Sequence, residues 1–288
     1  MFGHSVLRLS SLFLLLIETA HSFLPRERTK AVYNINNPAF AASVSPSAVS
    51  AAPFNKVFVA GGSRGVGRSI VDKLLSGEEG CQVVALIRDK SVAEELNSLE
   101  GCTAVLGDAF DQKSVEGAMD GCDAAITTLG GVTETAEEGS AAPRRVDYEG
   151  NNNVIESAGI LGVQRVILVS SIGCGASKEA APAAVFEALK PVLEAKERAE
   201  NILIKYYTNT NWTIIRPGGL KSEPATGKAI LTEDHRAIGS IHREDVADLV
   251  VQALGSDNTE RKVLTAVDPS ITSAANAEGT EVEAFALA

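Results

Sequence analysis

The chain has 288 residues, 45% hydrophobic and 22% charged, a globular composition that excludes disordered and fibrous classes and can fill one large core. Lys plus Arg number 26 and Asp plus Glu 37, for a formal net charge of -11. Residues 1–52 carry four positive side chains (Arg8, Arg26, Arg28, Lys30) against Glu18 and Glu27, so the acidity lies in the rest, which repels nucleic acid and anionic membrane and leaves room only for a local basic pocket.

Residues 1–22 begin with a basic Arg8, pass through an apolar run from Leu12 to Ile17, and end Ala20-His21-Ser22. Small residues at Ala20 and Ser22 suit signal peptidase, so the segment is expected to be a cleavable signal peptide. Its apolar run is far shorter than the ~20 residues that span a bilayer. No other segment is long and apolar enough for a transmembrane helix. Residues 23–52 open on Phe23-Leu24-Pro25, carry Arg26, Arg28 and Lys30 with one acid, Glu27, and are rich in Ala, Ser and Asn. That is transit-peptide-like composition. The succession resembles the bipartite presequence of diatoms and related algae, which implies a plastid (chloroplast) destination. Plain secretion is the alternative, and the lack of a disulfide framework counts against it.

From residue 53 the pattern changes. Apolar runs at 56–60, 81–87, 103–106, 123–129, 165–170, 212–215 and 262–266 predict strands. Helical spacing at 69–75, 92–98, 114–119, 146–158, 184–204 and 244–254 separates them. Strand–helix alternation predicts right-handed βαβ units and an α/β, doubly wound, mostly parallel sheet in one domain, 53–270. Residues 271–288 are Ala- and Glu-rich and are expected to be a flexible tail.

The first strand runs into Gly61-Gly62-Ser63-Arg64-Gly65-Val66-Gly67 and a helix follows. Gly61 permits a tight turn, Gly65 a close backbone approach to a pyrophosphate, and Gly67 close helix–strand packing. A positive helix end then faces the anion. This is the setting of a Rossmann-like dinucleotide site. After the second strand comes Arg88-Asp89-Lys90, where an NAD-preferring site has an acid. Arg88, helped by Arg64 and Lys90, can hold a 2′-phosphate, so NADP(H) is expected over NAD(H). Asp89 is the local counter-argument.

Cys81, Cys102, Cys122 and Cys174 are scattered, with no C-x-x-C. No Cys/His spacing suits zinc, and two of the four histidines, His4 and His21, lie in the leader. No metal site is expected, and the cysteines read as small buried hydrophobes.

VAGGSRGVG, LIRD, LGDAFD, VDYEGNNNVIESA, RVILVSSIG, IIRPGGL and IHREDVA, in this order, resemble the atypical short-chain dehydrogenase/reductase group. They are similar to its NmrA-like and flavin/biliverdin-reductase-like members, plant plastid members among them. The resemblance spans about 56–267. It departs at the turn, which in that group is usually GATGxxG. It implies that Gly61, Ser63, Arg64, Gly65, Val66 and Gly67 line the pyrophosphate and that Arg88 meets the 2′-phosphate. Asp108, with Ala109, would touch the adenine edge, or Asp108 would cap a helix. Thr127, Thr128, Leu129 and Gly130 would back the ribose, and Pro217, Gly218 and Gly219 would wall the nicotinamide.

Most of that superfamily uses Ser, Tyr and Lys, with Tyr four residues before Lys and acting as the acid. The resemblance places Ser170, Ser171 and Lys196 at the catalytic positions, but Val192 stands where the Tyr belongs. Lys196 would hold the nicotinamide ribose or be a solvated helix charge. Ser171 and Ser170 can hydrogen-bond a substrate oxygen but have no neighbouring His to make a nucleophile. Asp245, in Ile241-His242-Arg243-Glu244-Asp245, is expected to cap or anchor the following helix. Three readings remain open: a plastid NADP(H)-dependent oxidoreductase passing hydride to a small acceptor, a non-catalytic NADPH-binding sensor or assembly factor working through a protein partner, and a nucleotide-sugar epimerase or dehydratase. The last normally needs the missing Tyr. The sequence leaves the acceptor and the oligomeric state open.

Overall fold

The structure, a computed structural model, describes residues 54–77, 80–131, 144–271 and 281–287. The expected leader segments, 1–22 and 23–52, lie outside the described residues. Strand β1 (Lys56–Ala60) feeds two cores at once: Val57 and Val59 enter one, Phe58 and Ala60 the other. Side chains alternate across a strand, so one that is apolar on both faces must lie in a sheet covered on both sides.

The covering follows in chain order. Helix α1 (Gly65–Ser76), strand β2 (Gln82–Ile87), helix α2 (Lys90–Leu96) and strand β3 (Cys102–Leu106) come first. Helix α3 (Gln112–Met119), strand β4 (Ala124–Thr127), helix α4 (Glu149–Leu161) and strand β5 (Arg165–Val169) follow. Helix α5 (Ala183–Tyr206), strand β6 (Asn211–Pro217), short strands β7 (Gly219–Lys221), β8 (Ile230–Thr232) and β9 (Ser240–His242), helix α6 (Arg243–Leu254) and strand β10 (Lys262–Val267) complete it. Ile70, Leu74, Leu96, Val246 and Val250 place α1, α2 and α6 over one face. Met119, Ile155 and Leu203 place α3, α4 and α5 over the other.

The sheet order is β3-β2-β1-β4-β5-β6-β10-β8, with only β8 antiparallel to its neighbour, and β7 and β9 form a separate parallel pair. This is the expected Rossmann-like doubly wound sheet. Strand order reverses between β1 and β4, and ligand crevices of such sheets open beyond the strand carboxyl ends at that point.

Several boundaries move. Helix α1 starts at Gly65, not 69, because the glycines themselves enter its first turn. Strand β4 ends at Thr127, so Leu129 lies in the loop beyond it. Helix α4 begins at Glu149, which leaves Asp147 outside the helix. β7, β8 and β9 have three residues each, too short for an alternation to register. Of the segment expected to be a flexible tail, residues 281–287 are described and contact the domain. The Phe285 amide donates to the Leu231 carbonyl at 2.7 Å, the Leu287 carbonyl accepts from Ser256, and Val282 is buried. Phe285 bonds to β8, while Leu287 bonds to Ser256, beyond the end of α6.

Candidate functional site

At the switch point the chain leaves β1 through Gly61 (φ 87°) and enters α1 at Gly65 (φ 57°), both in the left-handed region. A Cβ on Gly67 would stand 2.1 Å from the Gly61 carbonyl oxygen, so only glycine lets the helix start over the turn. Thr128 clamps the turn to β4. Its amide donates to the Ala60 carbonyl at 3.0 Å, and its hydroxyl donates to the same oxygen at 3.2 Å. The first turn of α1 holds no acid, and Arg64 at the N-cap makes no side-chain cap. Its amides therefore face the crevice as a positive end able to accept an anion. Ser63, Arg64 and Gly65 are exposed there, while Val66 is buried in the core.

The first turn of α6 adds a residue that the sequence reading missed. A Cβ on Gly65 would stand 3.6 Å from Arg243 Cδ, so the Arg243 side chain lies against the glycine turn. Its Nη1 donates to Ser222 Oγ at 2.6 Å. The only signal was the IHREDVA string, which says nothing of where the arginine points.

Beyond β2, Arg88, Asp89 and Lys90 are exposed. Asp89 is committed to α2: its Oδ1 accepts the amides of Ser91 and Val92 at 2.8 and 3.2 Å and the Ser91 hydroxyl at 2.7 Å. The Ser91 hydroxyl, then these amides, hold the Asp89 carboxyl below its usual value. The local counter-argument to a 2′-phosphate is thus a helix cap. Lys90 stands 3.7 Å from Glu94 on the exposed face of α2.

Beyond β3, Asp108 accepts the Phe110 amide at 3.0 Å, and Asp111 caps α3. The helix-cap alternative for Asp108 is therefore corrected: Asp111 lies three residues nearer the helix. Ala109 is buried, and its carbonyl accepts from Asn153 Nδ2 at 2.8 Å.

Beyond β4, four segments meet. Lys196 Nζ donates to the Leu129 carbonyl at 3.0 Å and lies 3.6 Å from Asp147 Oδ1. The Gly131 amide donates to Asp147 at 3.3 Å. A Cβ on Gly130 would stand 2.8 Å from both Lys196 Nζ and Asp147 Oδ1. Asn151 Nδ2 donates to the carbonyls of Leu129 at 3.2 Å and Asp147 at 2.9 Å, and Thr127 Oγ1 donates to Asn151 Oδ1 at 2.6 Å. The Lys196 side chain is only 11% exposed, so the solvated-charge reading of it is corrected. Asp147 and Asn151 went unnoticed because the helical spacing of 146–158 swallowed them.

Beyond β5, Ser170 Oγ turns inward to Cys174 Sγ at 3.6 Å, and half-buried Ser171 Oγ donates to the Ile172 carbonyl at 3.0 Å. Burial pushes the Cys174 thiol up to about 12, so it is no nucleophile. At the end of β6, buried Arg216 grips Glu200 at 2.6 and 3.1 Å. Gly218 follows Pro217 and passes so close to the Gly239 carbonyl that a Cβ would lie 2.3 Å from it. Tyr206 and Tyr207 lie at the far end of α5, about 15 Å along the axis from Lys196. They border a separate surface hollow with Gly159 and Ile160. Asp245 anchors a loop, not its own helix: it accepts the amides of Thr226 and Gly227 at 2.9 Å each.

A family model described as NAD(P)H-binding matches residues 61–257. The chain belongs to that NAD(P)H-binding family. Among the family's relatives, it is 34% identical to the "uncharacterized sugar epimerase YhfK" of Bacillus subtilis over 72% of this chain and 91% of that one. It is 35% identical to an uncharacterized chloroplastic protein of Arabidopsis thaliana over 74% of this chain and 76% of that one. Among solved structures it is similar to ChuY, an anaerobilin reductase of Escherichia coli, with TM-score 0.66 and 28% identity over 75% of this chain and 98% of that one.

Proposed function

We propose that the protein is a plastid NADP(H)-dependent oxidoreductase that passes hydride to a small acceptor. The observation that carries this reading is the delivery of Lys196 to Leu129–Gly131 at the switch point, beside buried Asp147. A lysine there, next to an uncapped glycine turn, suits a nicotinamide ribose and a pyrophosphate in one crevice. In this reading Gly61, Ser63, Arg64, Gly65, Val66, Gly67 and Arg243 hold the pyrophosphate. Arg88 takes the 2′-phosphate, Asp108 and Ala109 border the adenine, and Thr128, Leu129 and Gly130 back the ribose. Pro217 and Gly218 close the nicotinamide side, and Ser171 orients the acceptor oxygen.

Bound NADPH supplies the hydride. The acceptor also needs a proton, and Val192 in place of the usual Tyr means that water supplies it. Acceptors of the flavin, quinone or linear tetrapyrrole kind fit that limit, because their reduced forms are protonated in solvent. The reductase named in ChuY and the chloroplastic label of the Arabidopsis relative support the activity and the compartment. Within the reading, residues 1–22 and 23–52 are the two parts of a presequence and 53–270 is the working domain.

The missing Tyr favours a second reading, a non-catalytic NADPH sensor acting on a protein partner. Affinities of the full chain for NADPH and NADH, with and without Arg88→Ala, test the cofactor assignment. NADPH preference that Arg88→Ala removes supports it, and no binding of either nucleotide refutes it. NADPH oxidation with flavins, quinones and biliverdin then separates the two readings: turnover that falls on Lys196→Ala supports the enzyme, and tight binding without turnover supports the sensor.

A further inference from the structure

We propose that His242, Asp245 and Asp268 form a site for one divalent metal ion of the zinc type, separate from the nucleotide crevice. The three residues come from the end of β9, the first turn of α6 and the residue after β10. All are buried, with 7%, 2% and 0% exposure. One donor atom from each lies within 4.8 Å of the other two.

The second observation is an orphan nitrogen. His242 Nδ1 is buried without a hydrogen-bond partner, 3.5 Å from Asp245 Oδ2. A buried ring nitrogen facing a carboxylate oxygen is costly unless a proton or a cation stands between them. Tetrahedral zinc, with ligand distances near 2.0 Å, sets its ligand atoms about 3.3 Å apart, close to that spacing. A proton bridges only two of the three groups, whereas a cation engages all three and balances two buried carboxylates. The imidazole donor favours zinc-like ions over calcium or magnesium, which take oxygen ligands.

The surroundings orient the donors as outer partners do in metal sites. His242 Nε2 lies 3.5 Å from Glu223 Oε2, which favours the tautomer with its lone pair on Nδ1. Asp245 accepts the Thr226 and Gly227 amides, one on each oxygen, leaving a lone pair on Oδ2. Asp268 Oδ1 accepts the Ser270 amide at 2.8 Å and hydroxyl at 2.6 Å, and Oδ2 accepts the Thr226 hydroxyl. A bound ion would fasten the segment carrying Glu223, Thr226 and Gly227 to the start of α6, where Arg243 meets the glycine turn. The absence of a metal site expected from His and Cys spacing overlooked Asp268, which is more than twenty residues from the other two.

The test is zinc binding to the full chain after chelator treatment, by competition with a chromophoric chelator and elemental analysis. One zinc per chain and a raised unfolding temperature are expected. His242→Gln and Asp268→Asn should each weaken binding by at least about tenfold, while Asp248→Asn, whose half-buried carboxylate pairs with Lys73 of α1 at 2.6 Å outside the cluster, should leave it unchanged. Circular dichroism confirms that each variant is folded, and His242→Gln alone decides if Asp268→Asn does not fold. Cobalt substituted for zinc should give visible bands of four-coordinate geometry. No stoichiometric zinc, or binding that survives His242→Gln, overturns the proposal. A His242 ring that titrates in the presence of zinc as in its absence overturns it too, because a proton then fills the gap.

Discussion

Lys196 Nζ and Asp147 Oδ1 lie 3.6 Å apart, although forty-nine residues separate them in sequence. Asp147 is fully buried, and its carboxylate also accepts the Gly131 amide. Lys196→Met would strand that carboxylate and cost about 3 kcal/mol of stability. In the double variant with Asp147→Asn, much of the loss should return while nicotinamide-nucleotide affinity stays low. Chemical denaturation and nucleotide titration of the three variants check both parts.

Gly67→Ala should abolish nucleotide binding. Its Cβ would stand 2.1 Å from the Gly61 carbonyl and 2.6 Å from Thr128 Oγ1, and the nearer of these is backbone that cannot yield cheaply. The turn or the helix must shift, at a cost of about 3 kcal/mol. Isothermal titration with NADPH and thermal unfolding measure the two effects. Unchanged affinity would mean that the turn does not carry the ligand.

Arg216 and Glu200 form a buried fork between β6 and α5, exposed by only 4% and 1%. Arg216→Met alone should lose about 3–5 kcal/mol, because Glu200 is left charged and unpaired. Adding Glu200→Leu should recover most of it. Urea unfolding of the single and double variants gives the coupling directly.

Acid should weaken the fold through His235. Burial, then the positive charge of Arg216, lower its pKa below the usual value, against the opposing pull of Asp234, Glu233 and Glu200. The unfolded chain therefore binds its proton first, near pH 6.5, and stability falls as the pH drops through that value toward the folded pKa. The unfolding temperature should decline between pH 7.5 and 5.5, and His235→Gln should flatten the decline. A slope identical in the variant would assign it to another group.

The sheet was legible because its signal is local. Apolar runs such as Lys56–Ala60 and Arg165–Val169 follow from strands buried on both faces. The glycine turn was legible for the same reason, since Gly61, Gly65 and Gly67 meet steric demands within one turn. The three-residue strands β7, β8 and β9 were not, because so few residues carry no period. Nor was the docking of 281–287, where Val282 and Phe285 act only against a partner edge.

By itself the sequence determined the βαβ order, the dinucleotide turn and the absence of the usual Tyr before Lys196. Only the tertiary structure decided which charges are held and which are offered. It committed Asp89 to capping α2, buried Asp147 beside Lys196, laid Arg243 against Gly65 and gathered His242, Asp245 and Asp268. The reason is physical. Strand periodicity and glycine sterics act over a few residues, whereas the fate of a charge depends on which distant segments desolvate it and which groups they bring within hydrogen-bond reach.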